Sequence, residues 1–285
     1  MQLQDYDVTT RIDCHVESTT ALTPPTSSEE VREIVLILNS PNFDGLPGQS
    51  IGVLAPGEFG KDYHLRLYTL ADLPERLDDR TVRIHICVRR CSYIDEYSGE
   101  RYPGIASNYL CDLKPGDHLT VTGPYDAPFE LPDDHDGTLI LIGAGTGIAP
   151  FRAFVKRIYE QLPDFSGRIW LFHGGRTGLD LIYMNEVRDD FALYMQKATF
   201  EAIKALSSRP HWTDAIDWYE AAAEERGEEL WNVLLDAKTH VYVAGVKAIL
   251  EELDHMFEQL AGSPKKWARR KAELVAGDRW TELVY

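Results

Sequence analysis

Hydrophobic and polar positions change rhythm about halfway along the chain. Between residues 31 and 124 the apolar positions come in short runs rich in Val, Ile, Leu and Thr, at 31–38, 49–55, 64–71, 81–90 and 118–123. Pro47-Gly48, Pro56-Gly57 and Pro115-Gly116-Asp117 punctuate them. Short β-prone runs separated by such turn residues predict an antiparallel barrel or sandwich.

After Pro132 the period lengthens. Residues 138–142 read as a compact apolar strand, and Phe151, Phe154, Val155, Ile158 and Leu162 follow at helical spacing. Strand patterns recur at 168–173, 198–205 and 239–243, and helical ones at 185–196, 228–235 and 247–260. Strands alternating with helices predict a parallel α/β sheet. The acidic stretch Pro132-Asp-Asp-His-Asp-Gly137 marks a border. The expected organisation is therefore a two-domain chain: an antiparallel β-barrel domain in residues 1–135, then an α/β parallel-sheet domain in residues 136–285. Residues 1–30 stand as an N-terminal extension without an assigned role.

Composition narrows the function classes. The 285 residues carry 46 acidic against 29 basic side chains, a formal net charge of -17. A field of that sign repels nucleic acid and anionic lipid. A phosphate ligand then has to be drawn in by a local cationic site. Cys14, Cys87, Cys91 and Cys111 form neither a C-x-x-C pair nor a C-x4-C-x2-C spacing. That argues against a zinc ribbon, a thioredoxin-like motif and an iron–sulfur cluster of the chain's own. No metal and no membrane span are expected, because no apolar run approaches about 18 residues. The first twenty residues lack a signal-peptide pattern, so a cytoplasmic protein is expected.

The strongest chemical motif is Gly143-Ala-Gly-Thr-Gly-Ile-Ala-Pro150, lying between a strand and a helix. Glycines let the backbone approach a ligand, and a helix start offers free N–H groups and a positive dipole end. This is a place for a pyrophosphate. The spacing is G-x-G-x-G rather than G-x-G-x-x-G, because position 148 is Ile. After the next strand, His173-Gly-Gly-Arg176 offers no acid for a ribose hydroxyl, whereas Ser208-Arg209 further on suits a 2′-phosphate. In the first half, Arg66-Leu-Tyr68-Thr69 puts Arg66 and Tyr68 on one strand face. A guanidinium and an aromatic plane on one face suit a flavin and its phosphate; an ordinary exposed strand pair is the alternative. Gly104 to Leu110 joins a glycine turn to a helix expected to start at Ser107, a second candidate phosphate site.

Taken together, these motifs resemble the plant-type ferredoxin–NADP reductase family, from about residue 31 to Tyr285. The stretches that carry the resemblance are Pro47-Gly-Gln-Ser-Ile-Gly-Val53, Arg66-x-Tyr68-Thr69, Ser107 to Gly116, Gly143 to Phe151, and Gly277-Asp-Arg-Trp280 to Tyr285. The chain is also similar to the reductase part of benzoyl-CoA epoxidase-type proteins. The resemblance implies an FAD-binding barrel followed by an NADP(H)-binding α/β domain. It implies that Tyr68 stacks on the flavin, Arg66 pairs with the FAD pyrophosphate and Thr69 hydrogen-bonds the flavin. Tyr93 would stack on the adenine, and Ala106 and Ser107 would contact the pyrophosphate, with Cys87 and Ile105 also among the cofactor contacts. Arg89 stands where the family has a lysine for the NADP phosphates. Gly145, Thr146 and Gly147 would line the nicotinamide nucleotide site, Ser208 and Arg209 would take the 2′-phosphate, and Trp218 would stack on its adenine. Tyr285 would cover the flavin until nicotinamide displaces it, so Thr69 and Tyr285 are the expected catalytic pair. Ala244 replaces a family cysteine, Leu283 a family glutamate, and Glu220 a family glutamine.

The resemblance implies a flavoprotein oxidoreductase passing electrons between NADP(H), through FAD, and a one-electron protein carrier such as ferredoxin or flavodoxin. Two other readings stay open: the reductase component of a multicomponent oxygenase, and an FAD electron-transfer subunit with weak or no nicotinamide turnover. Lys265, Lys266, Arg269, Arg270 and Lys271 place five cations in seven residues. They read either as a solvated helix face or, as the resemblance implies, as the docking patch for an acidic carrier.

Overall fold

The computed structural model describes residues 3–58, 60–127, 129–133, 135–208 and 217–285. The chain divides into two compact units, Met1–Phe129 with Arg152–Arg157, and Glu130–Phe151 with Ile158–Tyr285.

The first unit contains β1 (Ile12–Ala21), β2 (Val31–Leu38), β3 (Ser50–Pro56), β4 (Tyr63–Thr69), β5 (Glu75–Arg76) and β6 (Val82–Arg89). A short ribbon, β7 (Ser92–Ile94) with β8 (Arg101–Pro103), then leads into helix α1 (Ile105–Asp112) and strand β9 (His118–Tyr125). Seven strands form one antiparallel sheet in the order β4-β3-β9-β1-β2-β6-β5. A bridge between Leu70 and Ile86 links the end of β4 to β6, which curls the sheet into a barrel. Alternate residues point inward: Ile34, Leu36 and Leu38 from β2, Ile51 and Val53 from β3, and Ile84, Ile86 and Val88 from β6. Helix α1 adds Leu110 and Cys111 to this core.

Within the N-terminal extension, Ile12–Ala21 is part of the barrel rather than an appendage to it. Ile12, Cys14 and Val16 are buried, and β1 lies in the middle of the sheet, paired with both β2 and β9. The alternation that identifies it is broken by a register shift between Val16 and Ser18, which shortens its period-2 signature.

The second unit contains β10 (Thr138–Ala144), α2 (Ala149–Gln161), β11 (Arg168–Gly175), β12 (Phe200–Leu206), α3 (Trp218–Glu224) and α4 (Gly227–Leu235). It continues with β13 (His240–Gly245), α5 (Ile249–Ala261), α6 (Pro264–Ala276) and β14 (Trp280–Val284). All five strands are parallel, in the order β12-β11-β10-β13-β14. The chain starts mid-sheet at β10, moves outward to β12, then returns to the other side of β10. Between β10 and β13 the connections leave in opposite directions. Open α/β sheets bind ligands at the carboxyl ends of such a pair.

The helix expected over 185–196 does not form. Asn185 Oδ1 accepts the backbone N–H groups of Val187 and Arg188, and Asp189 Oδ1 that of Ala192. These side chains give the backbone a turn in place of a helix, and only a 3₁₀ turn at Phe191–Leu193 survives. Helix α1 begins at Ile105 rather than at Ser107, because extended Gly104 already serves as its N-cap.

Candidate functional site

In the first unit, Tyr68 and Arg66 are the register partners of core residues Ile51 and Val53, so all four share one sheet face. Tyr68 packs against the barrel core, while Arg66 is exposed and donates only to its neighbour's carbonyl, Leu65 O, at 2.8 Å among the described residues. Burial pushes the Tyr68 phenol up, nearby Cys91 and Cys111 add to the rise, and Arg66 offsets part of it. Thr69 lies on the opposite face, its hydroxyl 3.2 Å from that of Ser50.

Helix α1 supplies the second half of this seat. Its first N–H groups, from Ile105, Ala106 and Ser107, have no partner within the helix. No side chain caps them. Gly104 makes room: a Cβ there would lie 3.0 Å from Ser107 Oγ and 3.2 Å from Cys91 O. The Ser107 hydroxyl donates to Gly104 O at 3.3 Å and accepts the Cys91 N–H at 3.1 Å, so it shapes the turn. An uncommitted guanidinium, a flanking aromatic ring and a bare helix start fit a flavin dinucleotide with its pyrophosphate. Tyr93, on the β7–β8 ribbon, is 52% exposed and stacks on Tyr102 at 6.0 Å, leaving an aromatic face outward. Cys87 is buried, and Arg89 faces Glu29 at 3.1 Å.

In the second unit, the glycine turn occupies the switch point. Gly145 has φ +53° and open space around its missing Cβ. Gly147 meets the end of β13 so closely that a Cβ would stand 2.2 Å from Ala244 O. A 3₁₀ turn over Gly145–Ile148 then runs into α2, whose first turn contains Pro150. The Gly143 carbonyl is fixed from beneath by the Tyr219 hydroxyl at 2.8 Å. This cradle fits a pyrophosphate.

The last residue closes on the same turn. Tyr285 N–H donates to Gly245 O at 3.1 Å, and the Tyr285 and Thr146 hydroxyls hydrogen-bond each other. The ring remains 62% exposed. Glu282 is turned to other work, accepting Trp280 Nε1–H at 2.6 Å, and Leu283 holds the position of the acid implied by the resemblance.

At the end of β12, the Asp217 carboxylate accepts Ser207 Oγ–H at 2.5 Å and Ser208 Oγ–H at 3.1 Å. Nothing in the sequence pattern signals this contact. Trp218 is half-buried against the sheet core, next to Gly174. Arg209 and the Glu220 side chain lie outside the described residues.

The basic stretch on α6 is smaller at the surface than its sequence implies. Arg270 is buried, with Nε–H donating to Leu234 O at 2.5 Å and Nη2–H to Asp236 O at 2.9 Å, where it caps the last carbonyls of α4. Lys271 is held by Asp254 at 2.9 Å and lies 5.2 Å from the Trp280 ring centre. Lys265, Lys266 and Arg269 remain exposed. Burial pushes the Cys14 thiol up to about 12 and the Cys111 thiol to about 11, which makes both poor nucleophiles. Among the described residues, no helix is long and apolar enough to cross a membrane.

A barrel with a bare helix start and a parallel sheet with a glycine turn at its switch point define a two-domain class of fold with two candidate nucleotide seats. A family model for the oxidoreductase NAD-binding domain matches residues 141–255. The chain is 33% identical to a ferredoxin–NADP reductase of Spirulina sp, across 90% of this chain and 88% of that one. It is 35% identical to that of Synechocystis sp. across 90% of this chain, though it spans only 63% of the Synechocystis protein's length. Its fold matches the solved ferredoxin–NADP+ reductase of Plasmodium falciparum with a TM-score of 0.70, at 22% identity and 98% coverage of both chains. The chain belongs to the ferredoxin–NADP reductase family, whose cofactors are FAD and NADP(H).

Proposed function

We propose that this chain exchanges electrons between NADP(H) and a one-electron protein carrier of the ferredoxin or flavodoxin type, with FAD as its resident cofactor. The observation that carries the reading is the glycine turn at the β10–β13 switch, with Tyr285 latched onto its Thr146. When bound, FAD supplies the coupling between two-electron nicotinamide chemistry and one-electron carrier chemistry. The first unit is the FAD-binding domain and the second the NADP-binding domain. Arg66 and the N–H groups of Ile105 and Ala106 hold the FAD pyrophosphate. Tyr68 flanks the flavin and excludes water, and Thr69 offers a hydroxyl to it. Tyr93 takes the adenine. In the second unit, Gly145, Thr146 and Gly147 cradle the nicotinamide nucleotide. Tyr285 occupies the approach to the turn, so a nicotinamide ring has to displace it.

Docking falls to Lys265, Lys266 and Arg269, three exposed cations on a body of net charge -17. An acidic carrier is steered to such a patch and away from the rest of the surface, with strong salt dependence. A cytoplasmic setting belongs to the same reading, in keeping with four cysteines held as free thiols.

Anaerobic titration of the purified holoprotein with NADPH and with NADH, followed by visible absorbance, tests the reading. Bleaching by either nicotinamide is the expected result. A yellow protein reduced by neither would refute the enzyme and leave a flavin-binding electron-transfer subunit.

A further inference from the structure

We propose that Asp217 sets how this chain discriminates between nicotinamide dinucleotides with and without a 2′-phosphate, holding NADPH back relative to NADH. The inference rests on the reductase reading, since it needs a dinucleotide on the glycine turn.

Asp217 stands at the N-cap position of α3 and makes no side-chain capping bond there. An N-cap acid ordinarily accepts the first helical N–H groups. Here the carboxylate reaches back instead, one oxygen to the Ser207 hydroxyl and the other to that of Ser208. The Ser207 N–H donates to Gly175 O at 3.2 Å, which places the serines where β12 leaves the sheet, at the same carboxyl edge as the glycine turn. That point is two strands across from Gly145, about 10 Å at ordinary strand spacing. A dinucleotide with its pyrophosphate on the turn runs its adenosine along this edge.

Each serine hydroxyl has a single hydrogen to give. Both hydrogens are spent on Asp217. An arriving 2′-phosphate has to take those donors from the carboxylate and then lie beside a charge of its own sign. A ribose 2′-hydroxyl meets no such conflict, because it donates to a carboxylate, which is the role an acid plays in NAD-selective folds. Residues 173–176 contain no such acid. Asp217 supplies one from beyond the third strand, hydrogen-bonded by the Ser207 and Ser208 hydroxyls among its contacts with described residues.

The test uses the full-length holoprotein with Asp217→Asn and Asp217→Ala, and reads calorimetric binding of 2′-phospho-AMP and of 5′-AMP. Both variants are expected to bind 2′-phospho-AMP at least about 10-fold more tightly, while 5′-AMP, whose 2′-hydroxyl loses its carboxylate partner, binds more weakly, most clearly in Asp217→Ala. The ratio of kcat/KM for NADPH over NADH rises in step. Unchanged affinity for 2′-phospho-AMP overturns the proposal. Weakened affinity overturns it too, because Asp217 then arranges the serines for the phosphate. The asparagine variant keeps the shape and one acceptor oxygen, so it decides the matter if the alanine variant fails to fold. If the parent chain binds neither nucleotide and is reduced by neither nicotinamide, the reductase reading falls and takes this inference with it. If the parent behaves as a reductase and the variants match it, only the inference falls.

Discussion

At the head of α1 the anion-binding groups stand uncommitted, whereas at the carboxyl edge of the parallel sheet the chain's own side chains already engage the equivalent groups. In the first unit Arg66 has no acidic partner among the described residues and Gly104 leaves the helix start bare. In the second unit Thr146 holds the Tyr285 hydroxyl, and Ser207 and Ser208 hold a carboxylate. The difference suits the role proposed for each seat. A resident cofactor is bound once and kept, so an open, preorganised seat favours it. A dinucleotide that enters and leaves with every turnover is better served by a seat with an internal competitor, which weakens binding without dismantling the site.

The largest expected effect separates the two seats outright. A Cβ at Gly147 would stand 2.2 Å from Ala244 O, against backbone that has nowhere to move. Gly147→Val is therefore expected to cost about 3 kcal/mol or more, at the upper end of overpacking penalties. All 6 tryptophans fall after residue 158 in the sequence, and the 5 among the described residues lie in the second unit, so tryptophan emission during denaturant unfolding follows that unit. Nicotinamide reduction should vanish while FAD content stays near the parent's. Equal loss of both would show that the seats do not stand independently.

Next in size is the opposite lesion. Arg66→Ala removes the exposed cation of the first seat, with the loss of a charge-assisted bond worth about 1.5–3 kcal/mol, or roughly 10–100-fold in FAD affinity. Fluorescence-monitored FAD dissociation measures it. The tryptophan unfolding midpoint of the FAD-free protein should hardly move, because Arg66 is an exposed residue of the first unit. FAD retained at the parent's affinity would remove Arg66 from the seat.

Much of this arrangement is legible in the sequence where the determinants are local. The 31–38 run becomes β2 without adjustment, and the glycine turn falls between a strand and a helix as its spacing predicts. What escapes is set by partners far along the chain. Strand β1 owes its place to β2 and β9 on either side, and a register shift interrupts its alternation. Arg270 reads as one cation of a basic patch, yet it is buried as the cap of a helix 34 residues upstream. Tyr285 meets Thr146 across 139 residues, and the Ser–Asp217 contacts close a loop rather than repeat along an element. Over 185–196 the apolar spacing suits a helix, but Asn185 and Asp189 offer the backbone a nearer partner.

Acid should distinguish the two units. His173 lies on β11 beside Gly143, fully buried, with neither ring nitrogen partnered among the described residues. Burial holds it down to about 3 from an ordinary 6.5, and Lys204 contributes to the shift. The unfolded chain therefore takes up a proton near pH 6.5 that the folded chain refuses until about pH 3. Its contribution to stability is complete above that upper value and falls as pH drops through the window, by about 1.4 kcal/mol per pH unit. His173→Leu should flatten the tryptophan-monitored stability between pH 6.5 and 4 by close to one proton's slope. An unchanged slope would mean that the imidazole is protonated in the folded state.

The smallest effect bears on the competitor itself. If Tyr285 is held over the turn partly by its hydroxyl, then Thr146→Val weakens the latch by one hydrogen bond, about 0.5–1.5 kcal/mol. NADP+ binding should tighten by roughly 2–10-fold. Tyr285→Ser removes the ring as well and should tighten binding further. Equilibrium titration with NADP+, in which Thr146→Val lies between the parent and Tyr285→Ser, checks the order. Tighter binding in Tyr285→Ser with no change in Thr146→Val would place the competition in the ring alone. Weaker binding in Thr146→Val would make its hydroxyl a ligand of the nucleotide, leaving the second seat occupied by one internal group, Asp217, and not by two.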